Sequence, residues 1–189
     1  MSERLAKFIA RSGVCSRRAA EELILQKRIT VNGEIVDSPA FNVDGSEKIL
    51  LDGEKLPTVE TTRLWLYYKP VGLVTTHKDT AGRPTVFDNL PAGLPRVISV
   101  GRLDLNSEGL LLLTNNGELP QNGWSRRYKV KVHGRVSQNK IDSLTGGVTI
   151  DGINYGPVKI VSGESQGTNS WLTITLQEGK NREIRRLMK

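Results

Sequence analysis

"VGRLDLNSEGLLLLTNNGEL", residues 100–119, sets a carboxylate, Asp104, between Arg102 and an apolar run that reads as buried. VISVGRL before it and GLLLLT after it both read as strands, so Asp104 falls on a connection anchored at each end in a sheet. Loops held this way often carry chemistry, because the scaffold is rigid while the loop stays open to a substrate. The same aspartate also suits a plain structural role, closing a turn or capping a helix. Arg102 is placed to pair with Asp104 or with a phosphate, and spacing does not choose between them.

From residue 63 onward the chain reads mainly as strands: LWLYYKP, VISVGRL, GLLLLT, RRYKVKVHG, GVTI, GPVKIV and WLTITL, with Gly or Pro at nearly every junction. Few helical stretches intervene. This predicts an α+β fold, a mixed, largely antiparallel sheet with flanking helices. In RRYKVKVHG the alternation is clean: Tyr128, Val130 and Val132 share one face, and Arg127, Lys129, Lys131 and His133 share the other. One face meets a core and the other suits a polyanion. A tyrosine at that place is commonly a core aromatic with its hydroxyl near water. At the end, EGKNREIRRLMK carries Lys180, Arg182, Arg185, Arg186 and Lys189 against Glu183. A helix entered near Asn181 puts its cations at neighbouring i, i+3 and i+4 positions, either solvated or facing phosphate.

Upstream, Leu5, Phe8 and Ile9 recur at helical spacing, and Ser16 can cap a second helix running to about Lys27 with Ala20, Leu23 and Ile24 inward. RITVNGEIV and KILLDGEKL then alternate around Asn32-Gly33 and Asp52-Gly53, the preferred pairs for two-residue hairpin turns. The predicted division is a small αα-plus-hairpin domain at residues 1–59 and an α+β domain at 60–189.

Of 27 Lys+Arg and 20 Asp+Glu, the residues after Thr62 hold 18 and 10, so the second part carries the excess of the +7 charge. The first part is polarised. Arg4, Lys7, Arg11, Arg17, Arg18, Lys27 and Arg28 fall in its helices, while its acids fall mostly in strands and turns. Such a face is either an ordinary solvated helix surface or a contact for nucleic acid, and the basic second part favours the latter. No apolar stretch approaches the roughly 20 residues of a membrane span, and MSERLAKFIARSG is too charged for a signal peptide. No membrane role and a cytoplasmic location are expected. One cysteine, Cys15, and two histidines, His77 and His133, exclude an intrachain disulfide and any usual metal cluster.

The stretch GRLDLNSEGLLLLTNNGEL, with RLAKFIARSGVCSRRAAEELILQKRITVNGEIV before it, YKPVGLVTT and GRPTVFDNLP between, and GKNREIRRLM at the end, resembles the S4-domain ribosomal RNA pseudouridine synthases of the RsuA/RluB type. The resemblance covers nearly the whole chain. It implies an S4 RNA-binding domain at residues 1–59 and a pseudouridine synthase domain at 60–189. It implies that Asp104 is the catalytic aspartate, Tyr128 the tyrosine packing on the target base, and Arg185 the arginine pairing with the aspartate. Arg102 and the helical cations would bind RNA, with Lys180, Arg182 and Arg186 beside them. The reaction isomerises a uridine within RNA and needs no cofactor or metal. Asp104 either attacks C1′ or takes a proton from C2′. The partner is ribosomal RNA or a pre-ribosomal particle, and the protein acts as a monomer.

GRPTVFDNLP is closer to members acting on large-subunit rRNA than to those acting on the small subunit. Two departures accompany the resemblance. Between NNGEL and RRYKV the chain is short by one or two helical turns, and it stops at Lys189 where family members continue. The alternatives are a non-catalytic S4-type RNA- or ribosome-binding protein and a small-subunit rRNA synthase.

Overall fold

In the computed structural model, which describes residues 2–119 and 124–189, a short strand β1 (Glu3–Arg4) leads into helices α1 (Leu5–Arg11) and α2 (Arg17–Leu25). α1 buries Leu5, Ala6 and Ile9, and α2 buries Ala20 and Ile24, with Phe8 and Leu23 packed partly against them. Ser16 caps α2, its hydroxyl oxygen accepting the Ala19 N–H at 3.1 Å. The helix stops at Leu25, short of the expected Lys27, because Lys27 turns the backbone left-handed at φ 61°.

Strands β2 (Ile29–Val31), β3 (Glu34–Val36), β4 (Asn42–Val43), β5 (Ile49–Leu51) and β6 (Glu54–Lys55) follow. β2 and β3 pair antiparallel across Asn32-Gly33, and β5 and β6 across Asp52-Gly53. Both residues of each turn have positive φ, the geometry that matches the right-handed twist of a tight hairpin. The sheet order is β3-β2-β5-β6, and β1 pairs separately with β4. Ile29, Val31, Val43, Ile49 and Leu56 close one core with the buried faces of α1 and α2.

The same compact unit, Met1–Leu119, continues through β7 (Leu64–Lys69), a single 3-10 turn (Phe87–Asn89), β8 (Ile98–Val100) and β9 (Gly109–Thr114). These strands form an antiparallel sheet in the order β7-β9-β8, so the GLLLLT run is its central strand. That run is not buried throughout. Leu111 and Leu113 pack into a core with Leu73, Val86 and Val97, whereas Leu110 faces outward at 64 % exposure beside Tyr68. Period-two alternation overrides the continuous apolar reading.

The second unit, Pro120–Lys189, holds β10 (Arg126–His133), α3 (Gln138–Thr145), β11 (Val148–Ile150), β12 (Ile153–Tyr155), β13 (Lys159–Gln166), β14 (Asn169–Leu176) and α4 (Glu183–Leu187). Its sheet runs β10-β14-β13, antiparallel at both joins. Leu172, Ile174 and Leu176 of β14 share its core with Leu144 of α3 and Leu187 of α4. β11 and β12 form a third tight hairpin around Asp151-Gly152, which the Asp-Gly pair signals and the strand reading passed over. Helix α4 begins at Glu183, later than expected, because Arg182 sits left-handed at φ 54° and breaks the entry from Asn181. The shortened segment noted in the sequence falls largely on residues 120–123, outside the described residues. Every named strand pair among the described residues is antiparallel, and the one parallel contact is the Val74–Thr85 bridge.

Candidate active site

Asp104 sits half-buried on the connection between β8 and β9, as the alternation around it predicts. The segment at residues 69–75 grips the chain on both sides of it. Before it, the Thr75 hydroxyl donates to the Leu103 carbonyl at 2.8 Å and accepts the Leu103 N–H at 3.3 Å. After it, the Gly72 N–H donates to the Leu105 carbonyl at 2.8 Å. The Ser107 N–H turns back to the Asp104 carbonyl at 3.0 Å. A carboxylate on a loop pinned at both neighbours is preorganised, which a reacting group needs and a solvated turn does not.

Gly72 is at φ +92° and a Cβ placed there would meet nothing within 4 Å. The demand for glycine is therefore backbone strain alone. Gly72→Ala should cost about 1–2 kcal/mol, the usual penalty of left-handed backbone for an L-residue. Thermal unfolding measures it, and an unchanged Tm would remove the conformational argument.

Lys69, the last residue of β7, is fully buried beneath this loop. Its ammonium donates to the Pro70 carbonyl at 2.9 Å and to the Ser107 carbonyl at 2.8 Å. Burial pushes its pKa down from the ordinary lysine value, and the nearby Asp104 charge opposes that shift. Sequence reasoning missed Lys69. The signal was present: alternation along LWLYYK puts it on the inward side with Trp65 and Tyr67.

Next along the chain, Asp79 closes its own loop by accepting from the Ala81 and Arg83 N–H groups at 3.1 and 2.9 Å and from the Arg83 guanidinium. The Arg83 contacts hold its carboxyl well below the usual range, at about 2. His77 stacks on Phe87 with centroids 3.6 Å apart.

In the second unit, Tyr128 lies on the inward face of β10, directly across from Ile174 and packed on the core with Val130 and Val132. Arg185 is exposed on α4, and Arg186 is half-buried beside it. The helix is anchored from below. Glu183 is buried and accepts the Lys180 N–H at 2.8 Å. The Lys180 ammonium donates to Glu178 and to the Asn154 carbonyl, each at 2.6 Å, and lies over the Tyr155 ring. Lys180, expected on RNA, is thus engaged in holding the entry to α4, while Arg182 is exposed.

Burial raises the Glu183 pKa, with Glu178 adding to the effect. Between the ordinary glutamate value of 4.5 and that raised value, the folded state binds more protons than the unfolded one. Wild-type stability therefore falls as pH rises through that window. Glu183→Gln should remove this decline, read as a Tm difference between variant and wild type that grows from acidic to neutral pH. A pH-independent difference would contradict it. Glu178, held low by Lys180, acts below its own ordinary value and does not overlap.

Arg4 lies in β1 and Lys27 and Arg28 follow α2, so only Lys7, Arg11, Arg17 and Arg18 of the expected helical cations are in helices, and most of the set is paired. Arg4 donates to the Ala40 carbonyl, Lys7 meets Glu3 and Glu118, Arg11 meets Glu3, and Arg17 reaches Glu21 at 4.0 Å. Lys27 faces Asp37 at 3.9 Å and Arg28 grips Asp52 through Nε and Nη2. Arg18 and Arg102 are exposed. The pairs of Arg17, Lys27 and Arg28 are exposed, weak and salt-screened, so a phosphate can displace the carboxylate there.

A small module rich in cations is thus followed by a sheet whose connecting loop fixes one aspartate. Residues 3–49 match the S4 domain family and residues 63–189 match the RNA pseudouridylate synthase family. An uncharacterized RNA pseudouridine synthase of Rickettsia bellii is 52% identical over 191 residues, covering 98% of this chain and 82% of the relative. The ribosomal large subunit pseudouridine synthase B of Yersinia pestis is 42% identical over 201 residues, covering 99% of this chain and 63% of its own. A crystal structure of a pseudouridylate synthase superposes with TM-score 0.62 at 27% identity, covering 97% of this chain and 81% of that one. The chain belongs to the RNA pseudouridine synthase family, in its S4-bearing form. No helix of the described residues is long and apolar enough to cross a membrane.

Proposed function

We propose that this chain converts a specific uridine of large-subunit ribosomal RNA to pseudouridine, with Asp104 as the catalytic carboxylate. The observation that carries this reading is the double grip of residues 69–75 on the loop around Asp104. Relatives in Yersinia pestis and Salmonella typhi named ribosomal large subunit pseudouridine synthase B, each 42% identical, support the choice of subunit.

The N1–C1′ bond of the uridine breaks, the base turns, and a C5–C1′ bond replaces it while the hydrogen on C5 leaves as a proton and N1 takes one up. Asp104 acts on the sugar, at C1′ as nucleophile or at C2′ as base. Tyr128 packs against the turned base, and Arg185 is the partner of the aspartate. Extruding the uridine costs a few kcal/mol of stacking, which the aromatic contact and phosphate contacts from Arg102, Arg182, Arg186 and the α1 and α2 cations offset. The residues at 1–59 form the RNA-binding domain and those at 60–189 the synthase domain. The protein works as a cytoplasmic monomer on ribosomal RNA or a pre-ribosomal particle, without cofactor.

The test uses ribosomal RNA tritiated at C5 of uridine. Release of tritium to water is expected from the large-subunit species and is abolished in the Asp104 variant. Release from the small-subunit species instead would move the substrate. Tight RNA binding without any release would make the protein a non-catalytic binder and overturn the reaction.

A further inference from the structure

The β10-β14-β13 sheet has a second face that the reaction does not use. Its inner face carries Tyr128, Val130 and Val132 into the core of the unit. Its outer face is set by the register. Arg127 lies opposite Thr175, which lies opposite Lys159; Lys129 lies opposite Thr173, which lies opposite Val161; Lys131 lies opposite Trp171. These three rows hold four cations, and the one acid near them is Glu164, in the β13 bulge between Ser162 and Ser165 beside the Trp171 row. Arg127, Lys129, Lys131 and Lys159 are exposed.

Trp171 stands in the middle, on the central strand, with the Lys129 ammonium 5.0 Å and the Lys131 ammonium 5.9 Å from its ring centre. The ring draws two like charges to one place, which neither would choose in water unaided. A Cβ on Gly163 would come within 3.1 Å of the Trp171 carbonyl oxygen, so this flank stays bare of side chain.

We propose that this outer face is a second RNA-binding surface, which takes an unpaired stretch of the RNA substrate class with Trp171 as a base-stacking platform and Lys129 and Lys131 on successive phosphates. The inference rests on the reading that RNA is the substrate. Alternate residues of a strand recur every ~6.8 Å, so the β10 cations form a straight, evenly spaced row that suits a chain bearing one charge per repeat. An aromatic ring flanked by cations is the arrangement that holds single strands without reading sequence. Thr173 and Thr175 add hydroxyl groups to the floor. Because the face is opposite Tyr128 across the sheet, RNA held here is not the reacting uridine. It is a flanking or separate segment of the same molecule, and the surface acts on affinity rather than on turnover.

The experiment measures binding of a fluorescein-labelled oligouridylate of about a dozen nucleotides to the full chain, across salt concentrations. The Lys129→Gln/Lys131→Gln double variant should weaken binding by about tenfold or more and lower the salt slope by about 1.4, two single-strand phosphate contacts at about 0.7 each. Lys129→Arg/Lys131→Arg should restore both. Trp171→Ala should weaken binding by about tenfold, the loss of one stacked base. Tritium release at saturating ribosomal RNA should be unchanged in the Gln pair. Unchanged affinity and slope in the Gln pair would overturn the proposal, and a fall in Tm with affinity intact would overturn it too, leaving the contacts of Lys129 and Lys131 to Trp171 as support for the fold. Loss of the salt-slope effect with tritium release intact overturns this surface alone. Absent release with the slope effect intact overturns only the reaction.

Discussion

Asp104→Asn should lower turnover by on the order of a thousandfold or more while leaving RNA affinity within about threefold. The substitution is close to isosteric, and the loop is gripped at Leu103, Leu105 and Ser107 through main-chain atoms. The Asp104 contact to Ser107 is a main-chain carbonyl. What the amide lacks is the charge and lone-pair basicity with which a carboxylate can attack C1′ or remove a proton from C2′. Affinity comes from elsewhere, because phosphate contacts dominate RNA binding and the cations are spread over both units. Single-turnover tritium release gives the rate and filter binding gives the affinity. A collapse of both together would make Asp104 a structural residue. Equal and negligible release by wild type and variant would leave RNA binding as the activity.

The position of Asp104 was legible because it depends on a local pattern. Two alternating strands and a polar connection locate it, and the structure adds nothing to that placement. Both early hairpins were legible for the same reason, since Asn-Gly and Asp-Gly turns need no distant partner. What holds Asp104 was not legible, because the grip comes from residues about 30 positions earlier whose polar atoms meet the loop only after β7 and β9 pair. The exposed side of GLLLLT was misread because a run of four leucines masks the period of two. The late start of α4 was missed because the left-handed turn at Arg182 reflects the Glu183 and Lys180 anchoring rather than local propensity.

Lys69→Met carries the largest expected effect on stability. Methionine matches the length of the lysine stem, so the hydrocarbon packing under the loop survives and the ammonium alone is removed. Two carbonyls, Pro70 and Ser107, then lose their donor in a buried place. Each orphaned acceptor costs about 1–3 kcal/mol, and removing the buried charge returns part of that as relieved desolvation. The acceptors dominate, for a net loss of about 2–4 kcal/mol and a Tm lower by roughly 5–15 °C for a chain of this length.

The sign of the pH dependence follows from the depressed lysine. Between its lowered pKa and the ordinary 10.5, the unfolded chain binds more protons than the folded one, so wild-type stability rises with pH across that window. The variant lacks that rise, and the stability gap between the two should widen as the solution becomes alkaline. A gap that narrows would mean that the Asp104 charge outweighs burial at Lys69. Turnover measured well below either Tm separates support from mere folding. If Lys69 positions the loop, kcat falls by about tenfold or more with KM little changed, because no phosphate contact has been touched. An unchanged kcat in a folded variant would leave the Gly72 and Thr75 contacts sufficient to hold Asp104 in place.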